Sequence, residues 1–369
     1  MNIVFLTRYY PEDINNWSGI LYYVYHKLKE RHRVEIIGPE ILKQLSQFRA
    51  GNVSSNTFSH PYWYVNSLGR LLSERINACE CDLLFFGDLL FIPTDINIPF
   101  VLLSDMTYEQ VRIYYVKHEE SETKHYISLE ASVLGTACKI IHSSEWTKQK
   151  AIEFYHIDPA KIEVVEFGAN IPEPHNYTLD IDMSICRLLF IGKNWERKNG
   201  SMVLQIYRLL KKDGFPCTLT IIGSEPDVYS EDNDDDLTVI PFFDKNVPDD
   251  LLRLKKILSE SHFFVLPTKF DAFGIVFCEA SAFALPSIAA DVGGVGQAVR
   301  EGKNGFLLPA EATAADYAEK IITVFDDPAY YLKLRRSSRD EYEKRLNWDV
   351  WGERVNKIFE DAVRDFKQL

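Results

Sequence analysis

The sequence predicts an α/β protein made of two doubly wound parallel domains in series. Three observations lead there. The chain has 369 residues, long for one compact domain and ample for two. Its apolar runs are short, rich in Val, Ile, Leu and Phe, and alternate with longer amphipathic stretches. That is the rhythm of βαβ units, whose strands are covered on both faces. A polar, proline-bearing segment divides the two series. Hydrophobic content of 46% and charged content of 26% are ordinary for a globular protein and supply two cores.

In the first series, strands are predicted near 2–7, 33–38, 83–87, 99–103, 139–142 and 162–165, and helices near 18–30, 124–135 and 144–155. The segment from Gly168 to Asp182, with Pro172 and Pro174, reads as the linker. The second series places strands near 187–191, 217–222, 237–240, 263–266, 286–290 and 305–308. Its helices fit 199–212, 247–259, 275–284, 312–325 and 328–343. From Trp348 to Phe366, Val350, Trp351, Val355, Ile358, Phe359 and Val363 recur at helical spacing. The expected domains are 1–172, joined by a C-terminal helix over 348–369, and 183–345. Two such domains predict a ligand cleft at the carboxyl ends of their strands.

A net charge of −13 argues against a general nucleic-acid binder, which would show a basic face. No run approaches the ~18 apolar residues that span a bilayer. The N-terminus, Met1 to Arg8, reads as a buried strand and not as a signal peptide. The six cysteines are irregularly spaced, and Cys79-Glu80-Cys81 lacks a second pair to complete a zinc site. Free thiols and a reducing cytoplasm are expected. The acidic run Glu231-Asp232-Asn233-Asp234-Asp235-Asp236 reads as a solvated loop, with a metal-binding Asp-x-Asp site as the sharper alternative.

The chemistry concentrates in Phe264-Val265-Leu266-Pro267-Thr268-Lys269-Phe270-Asp271-Ala272-Phe273-Gly274-Ile275-Val276-Phe277-Cys278-Glu279-Ala280. A strand ends at Pro267, a short loop carries Asp271, and Gly274 opens a helix that holds Glu279. Gly274 lets backbone amides approach an anion. The first helical N–H groups, near Ile275 and Val276 and beside Phe273, lie at the positive end of the helix and form a diphosphate site. Asp271 is placed to accept from sugar hydroxyls and Glu279 from the vicinal hydroxyls of a ribose. The plain structural alternative makes Asp271 a helix cap and pairs Glu279 with a surface base.

An acid, seven residues, then Glu, after Leu-Pro-Thr and around Phe-Gly, resembles the paired-acid signature of the family 4 retaining glycosyltransferases. Their first acid is usually Glu, where this chain has the shorter Asp271. Downstream, Ala280 to Gly294 is similar to the family's next strand and Gly-Gly turn, and Asn304-Gly305-Phe306-Leu307 matches again. Relatives often carry Gly at the position of Ala284 and Glu at that of Gln297. Upstream, Phe190-Ile191-Gly192-Lys193-Asn194-Trp195-Glu196-Arg197-Lys198-Asn199-Gly200 resembles the basic loop after the first strand of the C-terminal domain. There Lys198 fits the diphosphate-binding Lys, and the Arg role falls to Lys193 or Arg197. Such cations would stabilise a departing diphosphate. Gly223 stands in the turn after the next strand. Phe242 or Phe243 stacks a base or packs in the core.

The first half matches more loosely. Ser18-Gly19 stands where relatives carry a Gly-Gly pair whose amides face the diphosphate, and Ser18 also suits a helix N-cap. Asp105 lies in a loop where many relatives have a His. It contacts donor sugar or acceptor hydroxyl, or it caps the following turn. His142-Ser143-Ser144-Glu145-Trp146 and Glu166 to Asn170 are similar to family segments.

The resemblance implies the GT-B fold, two Rossmann-like domains. It implies metal-independent transfer of a hexosyl unit, with retention, from a UDP- or GDP-linked sugar to an acceptor hydroxyl, with no bound cofactor. The acceptor would be a sugar, a glycan or a lipid-linked molecule. Its choice would fall to first-domain loops, including 41–80 and the surroundings of Tyr108, Tyr114 and Tyr115. A peripheral contact with the inner membrane face would suit a lipid-linked acceptor, and His26 to Arg33 is the basic stretch available for it. Two other readings fit the same architecture: a sugar-nucleotide epimerase or phosphorylase, and a non-catalytic sugar-nucleotide-binding protein. Nothing in the sequence speaks to oligomeric state.

Overall fold

The structure, a computed structural model, describes residues 1–41, 43, 62–87, 96–174, 177–224 and 234–368. The chain folds as two compact units: Met1–Val165 with Trp351–Leu369, and Glu166–Val350.

The first unit is built on six parallel strands in the order β2-β1-β3-β4-β5-β6. They are β1 (Asn2–Leu6), β2 (Arg33–Ile37), β3 (Leu83–Phe86), β4 (Phe100–Ser104), β5 (Lys139–His142) and β6 (Ile162–Val164). Between them run α1 (Ile20–Lys29), α2 (Tyr62–Asn77), α3 (Tyr108–Tyr114), α4 (Glu120–Thr136) and α5 (Glu145–Tyr155). Strand residues pointing to either face are buried: Val4, Leu6, Leu84 and Phe86 on one, Ile3, Phe5, Leu83 and Phe85 on the other. Such covering on both sides explains why these strands read as unbroken apolar runs. α2 and α3 were not legible from periodicity. α1 starts two residues later than expected, because Trp17 and Ser18 are left-handed (φ 46° and 55°) and Gly19, at φ 92°, is its N-cap. Ser18 is therefore not the cap.

The second unit repeats the plan in the order β12-β11-β10-β7-β8-β9. Its strands are β7 (Cys186–Ile191), β8 (Cys217–Ile222), β9 (Leu237–Ile240), β10 (Phe263–Leu266), β11 (Ser287–Ala290) and β12 (Gly305–Leu308). Its helices are α6 (Trp195–Lys198), α7 (Gly200–Lys212), α8 (Pro248–Glu260), α9 (Ile275–Ala282), α10 (Val295–Ala298), α11 (Ala314–Phe325) and α12 (Pro328–Arg345). The chain builds outward from β7 through β8 to β9, then returns to lay β10 on the other side of β7. The loops leaving β7 and β10 therefore start from neighbouring strands at the reversal. In doubly wound sheets this reversal is where ligands bind.

The last helix, α13 (Trp348–Phe366), joins the first unit from Trp351 onward. Trp351, Val355 and Phe359 are fully buried, and the Phe359 ring meets Phe85 edge-on at 5.0 Å. All six cysteines are free. Among the described residues, no helix is long and apolar enough to cross a membrane.

In the acidic run, Asp234 accepts the Tyr207 hydroxyl at 2.7 Å and Asp236 pairs with Lys211 at 2.5 Å, both partners on α7. Glu231, Asp232 and Asn233 lie outside the described residues, as do 42 and 44–61 of the segment 41–80 assigned to acceptor choice.

Candidate donor site in the second unit

The loop leaving β7 is shaped by its own sequence. Asn194 caps α6 by accepting from the Arg197 amide at 2.8 Å. Asn199 then turns left-handed at φ 59°, a conformation Asn tolerates better than most residues. Gly200 must lack a side chain, since a Cβ there would lie 2.1 Å from the Trp195 ring. Gly192 is constrained likewise: its Cβ would come within 2.9 Å of the Lys198 stem. These constraints fold the basic loop back on itself and aim Arg197 and Lys198 at the neighbouring loop.

That neighbour leaves β10. Its backbone is tied to α6: the Lys269 amide donates to the Arg197 carbonyl at 2.9 Å, and Thr268 Oγ1 donates to the same oxygen at 3.2 Å. The two loops place Asp271 between two cations. Lys198 Nζ donates to Asp271 Oδ2, and Arg197 Nη1 donates to Asp271 Oδ1 at 3.2 Å and to the Phe270 carbonyl at 2.9 Å. Lys198 and Asp271 are both buried, and burial holds the lysine below its ordinary range against the opposing pull of Asp271. The Gly293-Gly294 turn backs the acid. The Gly294 amide donates to the Asp271 carbonyl at 2.9 Å, and a Cβ on Gly293 would sit 2.2 Å from that oxygen.

Three residues beyond Asp271, Gly274 opens α9 with φ +85°. No side chain caps this helix, so Asp271 is not its cap. α9 is largely apolar and, from Phe277 on, wholly buried, whereas Ile275 and Val276 at its start are partly exposed. Their amides belong to the first turn, where an α-helix supplies no internal acceptor. The Phe273 side chain does not face a ligand: it is buried edge-on against Phe167 at 5.5 Å, leaving only its backbone to the site.

Glu279 is the one carboxylate within this apolar helix, 2% exposed. Its partner is Lys245, whose Nζ donates to Oε1 at 2.5 Å. Nothing in the sequence pointed to Lys245. It lies 34 residues away, in the loop between β9 and α8, and no spacing rule links the two. On that loop Phe242 is 50% exposed with Lys193 Nζ 5.1 Å above its ring, while Phe243 is buried beneath Arg253. Phe242 is thus the face open to a base. Arg197, not Lys193, reaches Asp271. Gly223, left-handed at φ +94°, packs on Gly192, where a Cβ would lie 3.2 Å from its carbonyl.

The remaining candidates, Ser18, Gly19 and Asp105, lie in the first unit. Trp17 Nε1 donates to Asp105 Oδ2 at 3.1 Å, which ties Asp105 to the left-handed turn of Ser18 and Gly19. Asp105 does not cap the next helix. That role is Thr107's, in a reciprocal box with Gln110.

Two doubly wound units, the second with paired acids and cations at its strand reversal, define the GT-B class of fold. The fold is shared with a glycosyltransferase from Rickettsia africae, at TM-score 0.68 and 17% identity over 98% of both chains. It is shared also with Anabaena HepE, solved in complex with UDP, at TM-score 0.67 and 15% identity over 98% of this chain and 100% of that one. Another HepE structure holds UDP-glucose. Residues 186–327 match the model of the glycosyl transferases group 1 family. The D-inositol 3-phosphate glycosyltransferase of Gordonia bronchialis is 24% identical over 254 residues, 64% of this chain and 55% of that protein. The capsular polysaccharide biosynthesis glycosyltransferase CapM of Staphylococcus aureus is 25% identical over 281 residues, 70% of this chain and 73% of that protein. The chain spans about half the length of the inositol 3-phosphate glycosyltransferases it matches. The family match thus falls within the second unit.

Proposed function

We propose that this protein is a retaining, metal-independent glycosyltransferase that moves a hexosyl unit from a nucleoside diphosphate sugar to an acceptor hydroxyl. The observation that carries the reading is Asp271 gripped by Lys198 and Arg197 at the head of α9, where the sheet reverses. The diphosphate lies on the amides that follow Gly274, at Ile275 and Val276. Lys198 and Arg197 supply the positive charge that a departing diphosphate needs, the part a metal ion would otherwise play. Asp271 accepts from the transferred sugar and Glu279 from the ribose. The base lies toward Phe242 and Lys193. In the reaction the bond between the anomeric carbon and the phosphate oxygen breaks, and a bond to the acceptor oxygen forms on the same face. The acceptor proton passes to the donor phosphate oxygen. No protein nucleophile is required.

A UDP-linked donor is favoured over a GDP-linked one by the ligands named for HepE. A glycan or lipid-linked acceptor agrees with the capsular polysaccharide role in the name of CapM. The acceptor is assigned to the first unit, where Asp105 is bonded to Trp17 of the left-handed turn.

Thermal unfolding against a panel of UDP- and GDP-sugars tests the reading. One donor is expected to raise the midpoint by mass action, with and without EDTA. Glu279→Ala should abolish the shift and Lys198→Ala should greatly reduce it. Unchanged donor affinity in both variants would put the site elsewhere.

A further inference from the structure

We infer that Lys245 is a positioning residue for donor recognition: it holds Glu279 so that one carboxylate oxygen is left to read the ribose hydroxyls. The inference rests on the donor site proposed above and adds a residue that neither the motif nor the comparisons assign.

Glu279 sits in an apolar helix with 2% exposure, and a carboxylate there needs a cation or several donors. Lys245 supplies the cation. Its ammonium bonds Oε1 at 2.5 Å and the Asn170 carbonyl at 2.9 Å, so it bridges α9 and the segment that begins the second unit. Both anchors are fixed. Asn170 is fully buried, and its side-chain oxygen accepts from Trp348 Nε1 at 3.1 Å. The Lys245 loop is set by Asp244, whose Oδ1 accepts from the Asn246 amide at 2.9 Å and whose own amide donates to Asp250 at 3.1 Å.

Three consequences follow. The Glu279 carboxylate is held from one side, through Oε1. The pairing also removes an uncompensated negative charge that would repel the proposed diphosphate. And the loop that carries Phe242 is coupled to the carboxylate, so base and ribose are read by one connected unit. A lysine that merely stabilised the fold would leave discrimination among ribose forms untouched.

Lys245→Met keeps the stem and removes the charge, and Lys245→Arg restores the charge. UDP, GDP and their 2′-deoxy forms are titrated by calorimetry against the wild type, both variants and Glu279→Ala. The wild type should prefer the ribonucleotide about tenfold or more over its deoxy form. Lys245→Met should bring the two within about twofold, and Lys245→Arg should recover most of the preference. In turnover, Lys245→Met should raise donor KM at least tenfold and change kcat less than threefold. Full ribose discrimination in a folded Lys245→Met variant would overturn the inference while leaving the donor site intact. Normal nucleotide binding by Glu279→Ala would instead remove the donor site itself.

Discussion

Lys198 is under two opposed pressures: burial favours the neutral amine, and the Asp271 carboxylate favours the ammonium. Burial wins by enough to bring the lysine below its ordinary 10.5. Its charge is therefore the first in the cluster to be lost as pH rises. Donor binding should fall on an alkaline limb below pH 10.5 in the wild type, and Lys198→Arg should move that limb upward. Calorimetric titration with donor between pH 7 and 11 would check this, and coincident limbs in the two proteins would rule it out. Lys198→Met leaves Asp271 with Arg197 alone. Breaking a buried pair from one side costs about 3 kcal/mol, and losing a fixed cation beside the leaving group should lower kcat about a hundredfold or more. Much of this site was legible because its chemistry is local. Asp271 and Glu279 share a loop and a helix, and Arg197 with Lys198 follows a strand. Lys245 was not, since a lone loop lysine acquires meaning only from the residue that folding sets beside it.

α9 shows how turn chemistry fixes a site. Its entry needs Gly274, since a Cβ would meet the Phe277 ring at 2.6 Å in a left-handed backbone. Its exit is left-handed too: Ala284 has φ 55°, and the Leu285 amide donates to the Ala280 carbonyl. An L-residue in that conformation costs about 1 kcal/mol or more. Ala284→Gly should therefore stabilise the second unit by about 0.5–1 kcal/mol and raise its unfolding midpoint by about 2 °C. A lower midpoint would show that the left-handed turn carries no strain. The resemblance had marked this position as one where relatives carry Gly, and the backbone supplies the reason. Gln297, the other departure, donates to Glu166 at 2.7 Å, where a Glu would instead present a second carboxylate. Gly293→Ala has the opposite expectation to Ala284→Gly. With a Cβ 2.2 Å from the Asp271 carbonyl, it should displace that loop and cost about 2 kcal/mol or more, together with donor affinity. The central strands were readable because both faces of each sheet are covered there, as at β3 and β10. α3 was not, being seven residues long with a reciprocal Thr107–Gln110 cap in place of an apolar stripe. The left-handed Trp17 and Ser18 were also hidden, since neither residue type announces that conformation.

The whole molecule carries buried titratable groups whose signs differ between its units. In the second unit, His262 is neutral by construction: Nδ1 accepts from the Arg187 amide at 3.0 Å, leaving Nε2–H to donate to the Asp182 carbonyl at 3.0 Å. Burial brings it from 6.5 down to about 4. The unfolded chain then binds the proton first as pH falls, so this unit should lose about 3 kcal/mol between pH 6.5 and 4. In the first unit, His142 is likewise lowered to about 4 by burial, its Nδ1–H donating to the Ser104 carbonyl. There, however, burial also raises Glu130 from 4.5 to about 8. A folded carboxyl that keeps its proton contributes stability at low pH and loses it as pH rises through that window, about 5 kcal/mol in all. Between pH 6.5 and 4.5 the two terms oppose one another in the first unit, and above 6.5 Glu130 acts alone. The units should therefore respond in opposite senses: acidification from pH 8 to 4.5 weakens the second and modestly strengthens the first. Hydrogen exchange resolved by peptide, following β3 in one unit and β10 in the other, would separate them. Glu130→Gln should remove the alkaline loss from the first unit alone. His262→Gln, which can reproduce both hydrogen bonds, should flatten the acid limb of the second. Parallel pH curves for the two strands, or a Glu130→Gln variant that still loses stability above pH 6.5, would show that these buried groups do not set the balance.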